Sequence, residues 1–323
     1  IMSDFLSIFS IGLFQNTLRT ATPVVLAALG ILMTDHVGIM NIGMDGMMLC
    51  GAFFAVLGSV FLGGWLGGLA LALLIGLVLG AFFGLFVVKF KSDEYIIGVA
   101  LNIFAGGLTV FLLRTIFGVA GAFSGNDAMP IYALPKIHIP LIADIPVLGD
   151  LLSGNTLLVY VSWLLVALSY VLIYKTPLGF WMRAAGEHPE SLRAAGKSPE
   201  GMKYLASILC GLFSGLAGAH LSLGYSKMFT ESMTNGRGFM GVAAMYFGAA
   251  NPLLTAVGCL VFGLADSIGS RLQPFGVSSQ IILLMPYVVT VLVLAVSMAI
   301  KKNSQTRRKS ALAVRREEVY MDR

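Results

Sequence analysis

Charged residues are scarce in this sequence. They make up 11% of the 323 residues, whereas an ordinary soluble domain carries about 25%, and hydrophobic residues make up 57%. This composition argues against a soluble globular protein. The few charges leave uncharged runs at 46–88, 95–113, 151–174, 204–226, 238–265 and 272–300. Each run is long enough to cross a bilayer, which takes about 20 apolar residues, and 46–88 is long enough to cross twice.

Residues that build metal, disulfide and catalytic sites are also few. The 3 cysteines stand singly within apolar runs, and the 4 histidines occur without an HExxH motif. The nearest match to a P-loop, Ser191–Ser198, lacks the first glycine and follows no strand. We therefore assign no catalytic residue, no metal ligand and no cofactor to this chain. His220, near the end of an apolar run, is expected to hydrogen-bond to another helix.

The net charge of +5 belongs to one end of the chain. Lys301–Arg323 holds eight basic and three acidic residues, so residues 1–300 hold thirteen of each. This distribution argues against a general nucleic-acid-binding surface. At the other end, Asp4 and no basic residue precede the apolar stretch from Phe5, a pattern that is not typical of a cleaved signal peptide.

The apolar runs predict an all-α fold, a polytopic membrane helical bundle with about eight spans (8–10). An amphipathic helix over Ser3–Asn16 is expected to lie in the membrane interface before the first span. Asn251-Pro252 breaks one run, because proline removes a backbone donor, and predicts a tight hairpin or the elbow of two half-helices. The predicted spans lie at about 20–34, 47–62, 65–88, 95–113, 155–174, 204–224, 239–250 with 253–270, and 281–300.

Lysine and arginine residues predict the orientation, because loops rich in them stay on the cytoplasmic side. The segment 175–203 and the tail 301–323 are the most basic and are assigned to the cytoplasm. The segment 115–154 contains four prolines and is assigned to the outside as an extended segment. Alternation from these anchors puts 89–94 and 251–252 inside, and 225–237, 271–280 and the N-terminus outside. Residues 1–300 then form one membrane domain, followed by a basic cytoplasmic tail.

Small residues recur at helical spacing in two of the predicted spans. Gly76, Gly80 and Gly84 form one stripe, and Ser207, Gly211, Gly215 and Ala219 form the other. Such stripes let helix backbones approach closely in lipid, where packing drives helix association. Intramolecular packing is the favoured interpretation, and a subunit interface is the alternative.

Asp45 lies where lipid would penalise a charge. An ionised group at a span centre costs about 2.5–3.5 kcal/mol on insertion scales, so Asp45, Asp266 and Arg114 should face protein, water or an interface. Two glycines flank Asp45 in Asn41–Gly46 and loosen any helix there. Two interpretations follow: an interrupted helix whose freed backbone groups line a cavity, or a plain cytoplasmic turn.

Asn102 lies within the predicted span 95–113 and has four hydrogen-bonding positions to satisfy. It either bonds to a neighbouring helix or lines a pore. The candidate residues of a path through the membrane are Asn41, Gly43, Asp45, Gly46 and Asn102.

The segment 176–203 carries two helix-start signals. Pro189 and Glu190 suit the first turn of a short helix that Gly196 can end. Ser198-Pro199-Glu200 repeats the signal with a cap, a proline and an acid. We predict two short helices joined at a glycine, which suit docking to a soluble partner, although a solvated helical loop has the same pattern.

Three stretches resemble a known family, the permease subunits of ABC importers of the ribose and branched-chain amino acid type. Gly38–Ala52 resembles the signature of the simple-sugar and nucleoside subgroup, which usually has Glu where Asp45 stands. Gly186–Gly196 is similar to its coupling-helix loop, and Gly236–Leu253 to the segment after the next span. The resemblance extends over most of residues 20–300.

The resemblance implies a permease that works with partners and does no chemistry on its substrate. Those partners are a second homologous permease, with a heterodimer favoured, cytoplasmic ABC ATPase subunits that hold ATP and Mg, and an extracytoplasmic binding lipoprotein. The implied location is the bacterial cytoplasmic membrane. The segments 115–154 and 225–237 are then candidates for the outer docking face. The implied ATPase contact lies at 187–201, with candidates Glu187, Pro189, Glu190, Arg193, Gly196, Pro199 and Glu200.

The expected function is ATP-driven import of a nucleoside or, next, of a pentose or hexose. The alternative from another class is an ion-coupled secondary transporter, in which Asp45 and Asp266 serve as proton or cation sites. A structural membrane scaffold is the third interpretation, and it predicts no transport and tolerance of substitutions at Asn41 and Asn102.

Overall fold

The chain folds mainly into helices. The computed structural model describes residues 11–137, 153–272 and 288. Two of the helices are extended by π-helical turns, at Leu85–Lys89 and His220–Ser226. The helices are α1 (Ile11–His36), α2 (Met44–Phe61), α3 (Trp65–Gly84), α4 (Glu94–Phe117), α5 (Leu157–Lys175), α6 (Pro177–Glu187), α7 (Pro189–Ala194), α8 (Pro199–Ala219), α9 (Arg237–Phe247) and α10 (Pro252–Leu272). The strands are β1 (Ala122–Phe123), β2 (Lys136–Ile137), β3 (Asn155–Thr156) and β4 (Phe229–Thr230), and they pair antiparallel as β1 with β4 and β2 with β3.

Seven helices within the described ranges, α1 to α5, α8 and α10, are long and apolar enough to cross a membrane. The prediction of an all-α, multi-pass membrane bundle is confirmed. α9 has 11 residues and is about 16 Å long, roughly half of the ~30 Å hydrocarbon core. The break at Asn251-Pro252 therefore separates a half-helix from a full span. The predicted span at 281–300 and the tail at 301–323 lie outside the described residues.

α1 is longer than predicted and lies at the centre of the bundle. It runs unbroken from Ile11, so the predicted boundary between an interfacial helix and a span near residue 20 is wrong. Pro23 has no N–H to donate to the carbonyl of Arg19, but His220 Nε2–H donates to that carbonyl at 3.1 Å. The freed acceptor is thus satisfied by another helix, and α1 continues. The expected interhelical bond of His220 is confirmed.

The two ends of the bundle gather distant parts of the chain. At one end, the His36 ring donates to the carbonyl of Ala250 at 3.1 Å, and Gly38 packs against Gly186. At the opposite end, the Arg19 guanidinium bonds to the Gly154 carbonyl, and β1 pairs with β4. We name these the inner and outer ends after the predicted topology. The segments 89–94, 175–198 and 251–252 lie at the inner end, and the described residues 118–137 lie at the outer end.

The two stripes of small residues pack against each other. A Cβ built on Gly80 would lie 2.5 Å from the carbonyl oxygen of Ser207, and Gly76 approaches Gly211 as closely. Gly84 faces Ser207 one turn further along. These contacts lie within one chain, between α3 and α8, so the favoured interpretation of intramolecular packing is confirmed for the described residues.

Candidate functional site

After α1 the chain turns back into the bundle. Gly38 has a φ of +74°, in the left-handed region that glycine adopts readily, and the turn lies against the backbone of Gly186. The Met40 N–H donates to Glu94 Oε1 at 2.9 Å and fixes the turn to the inner end of α4. From this point the segment 40–43 runs along α4 toward the middle of the bundle. We call residues 37–43 the re-entrant segment.

Asn102 fixes the point at which the re-entrant segment meets α2. Its side chain accepts from the Gly46 N–H at 2.7 Å and donates to the Ile42 carbonyl at 3.0 Å. Asn102 lies eight residues after Glu94 on α4, about 12 Å from the inner end. α2 therefore begins inside the bundle. The segment therefore interrupts the helical structure within the bundle, and the Gly46 N–H and the Ile42 carbonyl bond to Asn102.

Asn41 and Gly43 pack at the same point, against α8 and α4. Asn41 is fully buried, and its Oδ1 accepts from the Gly43 N–H at 2.9 Å while its amide group lies 3.2 Å from Cys210 Sγ. A Cβ built on Gly43 would lie 3.1 Å from the Gly98 Cα. Both residues therefore pack against protein, and their direct role is to let the segment approach α4 and α8 closely.

Asp45, in the first turn of α2, bonds to the start of α9. Its Oδ2 accepts from the Thr234 hydroxyl at 2.8 Å, and its Oδ1 accepts from the Gly238 N–H at 3.0 Å. A Cβ on Gly238 would lie 2.7 Å from the Asp45 Cα, so only glycine permits this approach. The first N–H groups of a helix have no acceptor within the helix, and the Asp45 carboxylate accepts from one of them at the start of α9.

A second carboxylate completes this junction. Arg237, the first residue of α9, donates to Asp266 Oδ2 of α10 at 3.0 Å, and the two side chains are 15% and 26% exposed. The segment 225–237 was predicted to lie outside. Its strand β4 does pair at the outer end. Thr234 and Arg237 instead lie beside α2 and α10, because carboxylate groups of those two helices accept hydrogen bonds from them. We call Asp45, Thr234, Arg237, Gly238 and Asp266 the intramembrane junction.

The charges of the junction balance. Two helix N-termini, those of α2 and α9, meet there, and each carries about half a positive charge. With the Arg237 guanidinium they amount to about +2, opposite the two carboxylates of Asp45 and Asp266. Each carboxylate thus has a fixed positive partner, which is the condition for keeping charged groups within a membrane.

The other candidate set lies on the exposed loop at the inner end. Glu187 ends α6, Pro189 begins α7, and Gly196, with a φ of +74°, follows it. Ser198 Oγ accepts from the Gly201 N–H at 3.0 Å and caps the next helix. That helix is the spanning helix α8, so the prediction of a second short helix is wrong. No stop signal follows Pro199, and the apolar run from residue 204 carries the helix onward.

Arg193 connects the two helices of this loop. It pairs with Glu190 of α7 at 2.9 Å and with Glu200 in the first turn of α8. The hydrogen bond and charge of Glu200, followed by the charge of Glu190, hold the pKa of Arg193 above its ordinary value. The side chains of Arg193, Glu190 and Glu200 are 50%, 82% and 47% exposed. They border a pocket of about 400 Å³ together with Lys91, Glu94 and Lys203.

Three functional candidates were missed from the sequence: Thr234, Arg237 and Gly238. Arg237 directly precedes the uncharged run 238–265, and Asp266 directly follows it. These positions mark the ends of the run but do not reveal that α9 is a half-helix and that the two charges meet. All five path candidates lie at or beside the intramembrane junction. All seven loop candidates lie between the end of α6 and the first turn of α8.

Comparison with known proteins places the chain in a transport family. The family described as "Branched-chain amino acid transport system / permease component" matches residues 13–298. The guanosine ABC transporter permease protein NupQ of Bacillus subtilis is 36% identical over 304 residues, covering 90% of this chain and 93% of NupQ. NupP of the same organism, also a guanosine ABC transporter permease protein, is 27% identical and covers 83% of this chain and 76% of NupP. The glucose ABC transporter permease protein TsgB13 of Haloferax volcanii is 28% identical, covering 84% of this chain and 73% of TsgB13.

No solved structure matches the chain. The family match covers both the intramembrane junction and the exposed loop, and the match extends over 73% to 93% of the length of these three relatives. The chain is accordingly a transport component of a multi-subunit system and not an enzyme. It belongs to the family of branched-chain amino acid transport system permease components.

Proposed function

We propose that this chain is the membrane subunit of an ATP-driven ABC importer that carries nucleosides inward, with pentoses or hexoses as the second substrate class. ATP binding and hydrolysis occur on separate cytoplasmic subunits, which hold the ATP and Mg. The chain itself moves the substrate by changing which side of the membrane its path faces. The substrate class rests on the similarity to the guanosine permeases NupQ and NupP, and the glucose permease TsgB13 supports the sugar alternative.

The observation that carries the ATP-driven mechanism is the exposed loop with α7. Arg193 ties α7 to the first turn of α8, a span that packs closely against α1, α2 and α3. A force applied to α7 therefore reaches the centre of the bundle through an ion-paired connection. The mixed charges around the 400 Å³ pocket suit contact with a soluble partner, because polar complementarity governs docking at such surfaces.

The intramembrane junction supports the position of the path. Asp45, Asn102, Arg237 and Asp266 are partly exposed although they lie within the depth of the spans. Charged and amide groups at that depth face protein or water and not lipid. Their partly exposed sides therefore border the path or the second permease that encloses it.

We further propose the assembly in which this subunit works. NupQ and NupP are two different guanosine permeases of one organism, and both are similar to this chain, which favours a heterodimer with a second, homologous permease. A binding lipoprotein delivers the substrate at the outer end, on the segments 115–154 and 225–233. The assembly lies in the bacterial cytoplasmic membrane with the basic C-terminal tail in the cytoplasm.

The ion-coupled alternative requires a carboxylate that exchanges a proton or cation during transport. Asp45 instead accepts two hydrogen bonds at a helix N-terminus, and Asp266 is paired with Arg237. Releasing either carboxylate would break the contacts that position α9. The arrangement therefore favours a fixed structural charge over a carrier site.

The test is uptake by proteoliposomes that contain the chain, a second permease, the ATPase subunits and the binding protein. We expect ATP-dependent accumulation of radiolabelled guanosine, and a fall of about tenfold in the Glu190→Lys, Arg193→Glu double variant, because reversed charges disturb the docking surface. Lys89→Glu, an exposed inner-end charge outside the loop, is the matched control and should keep wild-type uptake.

Two results would contradict this proposal in different ways. Uptake by the double variant equal to the wild type would remove the assignment of the loop as the coupling contact. Uptake by the chain alone, driven by an ion gradient and indifferent to ATP, would favour the secondary transporter.

A further inference from the structure

The half-helix α9 exposes two aromatic rings on one face. Phe239 and Tyr246 are 46% and 59% exposed and lie seven residues apart, so they share a face of the helix and are about 10 Å apart along it. The next residue, Phe247, turns inward and stacks on Phe262 with ring centroids 5.8 Å apart. Within the described residues, neither Phe239 nor Tyr246 pairs with another aromatic ring, and each side chain is about half exposed.

This aromatic face borders the re-entrant segment and not open lipid alone. The Tyr246 hydroxyl lies 3.6 Å from Met40 Sδ, and the Met40 N–H bonds to Glu94 of α4. Phe239 follows Gly238, which packs directly on Asp45. The two rings therefore lie on the side of α9 that borders the re-entrant segment. Phe239 lies at the level of the intramembrane junction, and Tyr246 lies near the other end of α9, closer to the inner end.

We propose that Phe239 and Tyr246 are specificity-determining residues that receive the base of a nucleoside by stacking. This inference rests on the proposed function and sharpens it, because it commits the path to a substrate with an aromatic base. Every nucleobase has a π-face, so two rings spaced along a path can hold a base at successive positions without demanding one particular base.

Guanosine uptake in the complete reconstituted system tests this role. With saturating loaded binding protein, we expect Phe239→Leu and Tyr246→Leu each to lower the uptake rate about 5- to 150-fold, because leucine keeps apolar volume but has no π-face. Tyr246→Phe keeps the ring and should retain the wild-type rate. Phe111→Leu is the matched control: Phe111 is 63% exposed but lies nine residues from Asn102, on the opposite side of α4.

Photolabelling separates a substrate contact from a structural role. We expect 8-azidoguanosine to label α9 in the wild type, with labelling reduced in both leucine variants and unchanged in Phe111→Leu. Size-exclusion chromatography of the permease pair should show intact pairs in every variant. Pairs that dissociate in the leucine variants would overturn the proposal, because the rings would then be packing against the second permease.

The failure of this inference differs from the failure of the proposed function. If Phe239→Leu and Tyr246→Leu take up guanosine at the wild-type rate, this inference is overturned and the proposed function is not. A wild-type system that imports glucose and no nucleoside would overturn the nucleoside assignment, and this inference with it.

Discussion

Two arginine–carboxylate clusters in this chain share their chemistry and differ in their surroundings. In the intramembrane junction, Arg237 pairs with Asp266 at 3.0 Å, and the side chains are 15% and 26% exposed. On the inner-end loop, Arg193 pairs with Glu190 at 2.9 Å and with Glu200, and the side chains are about half exposed or more. The first cluster joins α9 to α10 at the depth of the spans, and the second joins α7 to α8 outside them.

The difference indicates what each cluster can do. An unpaired charge is costly at the depth of the spans, so we expect the fold to require an intact junction. An exposed pair exchanges its partner for water at little cost. The exposed charges of the loop are therefore available to contact a soluble protein, whereas the junction is expected to move as a unit.

The largest effect on stability should come from Asp45. In Asp45→Ala the Thr234 hydroxyl and the Gly238 N–H lose their acceptor, and each unsatisfied buried donor costs about 1–3 kcal/mol. We expect the free energy of unfolding in detergent to fall by about 2–6 kcal/mol and uptake to be lost. Asp45→Glu keeps the charge and is the control. Equal melting temperatures for Asp45→Ala and the wild type would show that α9 does not depend on this carboxylate.

The Arg237–Asp266 pair should rank second. Arg237→Gln leaves Asp266 without its cation, and breaking a buried pair from one side costs about 3 kcal/mol. Asp266→Asn should have a similar cost, and the double variant should be less than additive, because each single change already removes the pair. Thermal unfolding of the four proteins gives the coupling. Strict additivity would mean that the two side chains do not interact in the membrane.

The smallest measurable effect should come from the cap of α8. Ser198→Ala removes the hydroxyl that accepts from the Gly201 N–H, and loss of an N-cap costs about 1 kcal/mol. Ser198→Asp retains an acceptor and should match the wild type in thermal unfolding. A cost for Ser198→Ala as large as that of Asp45→Ala would remove the distinction between the two clusters.

Much of the fold follows from the sequence because lipid imposes simple rules. Uncharged runs of span length, the glycine stripes, the cap at Ser198 and the helix start at Pro189 each predict a local feature that the structure contains. Local signals failed where a distant group satisfies the backbone. The boundary predicted near residue 20 is wrong because His220, about two hundred residues away in sequence, donates to the Arg19 carbonyl that Pro23 leaves without a partner, and α1 continues.

Only part of the candidate site could be predicted from the sequence, for a related reason. Glycines and a lone acid within an apolar stretch predict either an interrupted helix or a plain turn at Asn41–Gly46, because both residue types are costly in a helix that faces lipid. The partner of Asp45 is a backbone N–H at Gly238, which has no signature in the sequence. The helix α9 looks like part of a longer apolar run, and its half length depends on contacts that only the folded chain reveals.

The most direct test of the division between the two clusters is the affinity of the purified ATPase subunits for the permease pair. For Glu190→Lys, Arg193→Glu we expect a melting temperature equal to that of the wild type, because the loop is exposed, together with ATPase binding about tenfold weaker. ATPase binding equal to that of the wild type would contradict the account, because the exposed loop would then not be the coupling contact.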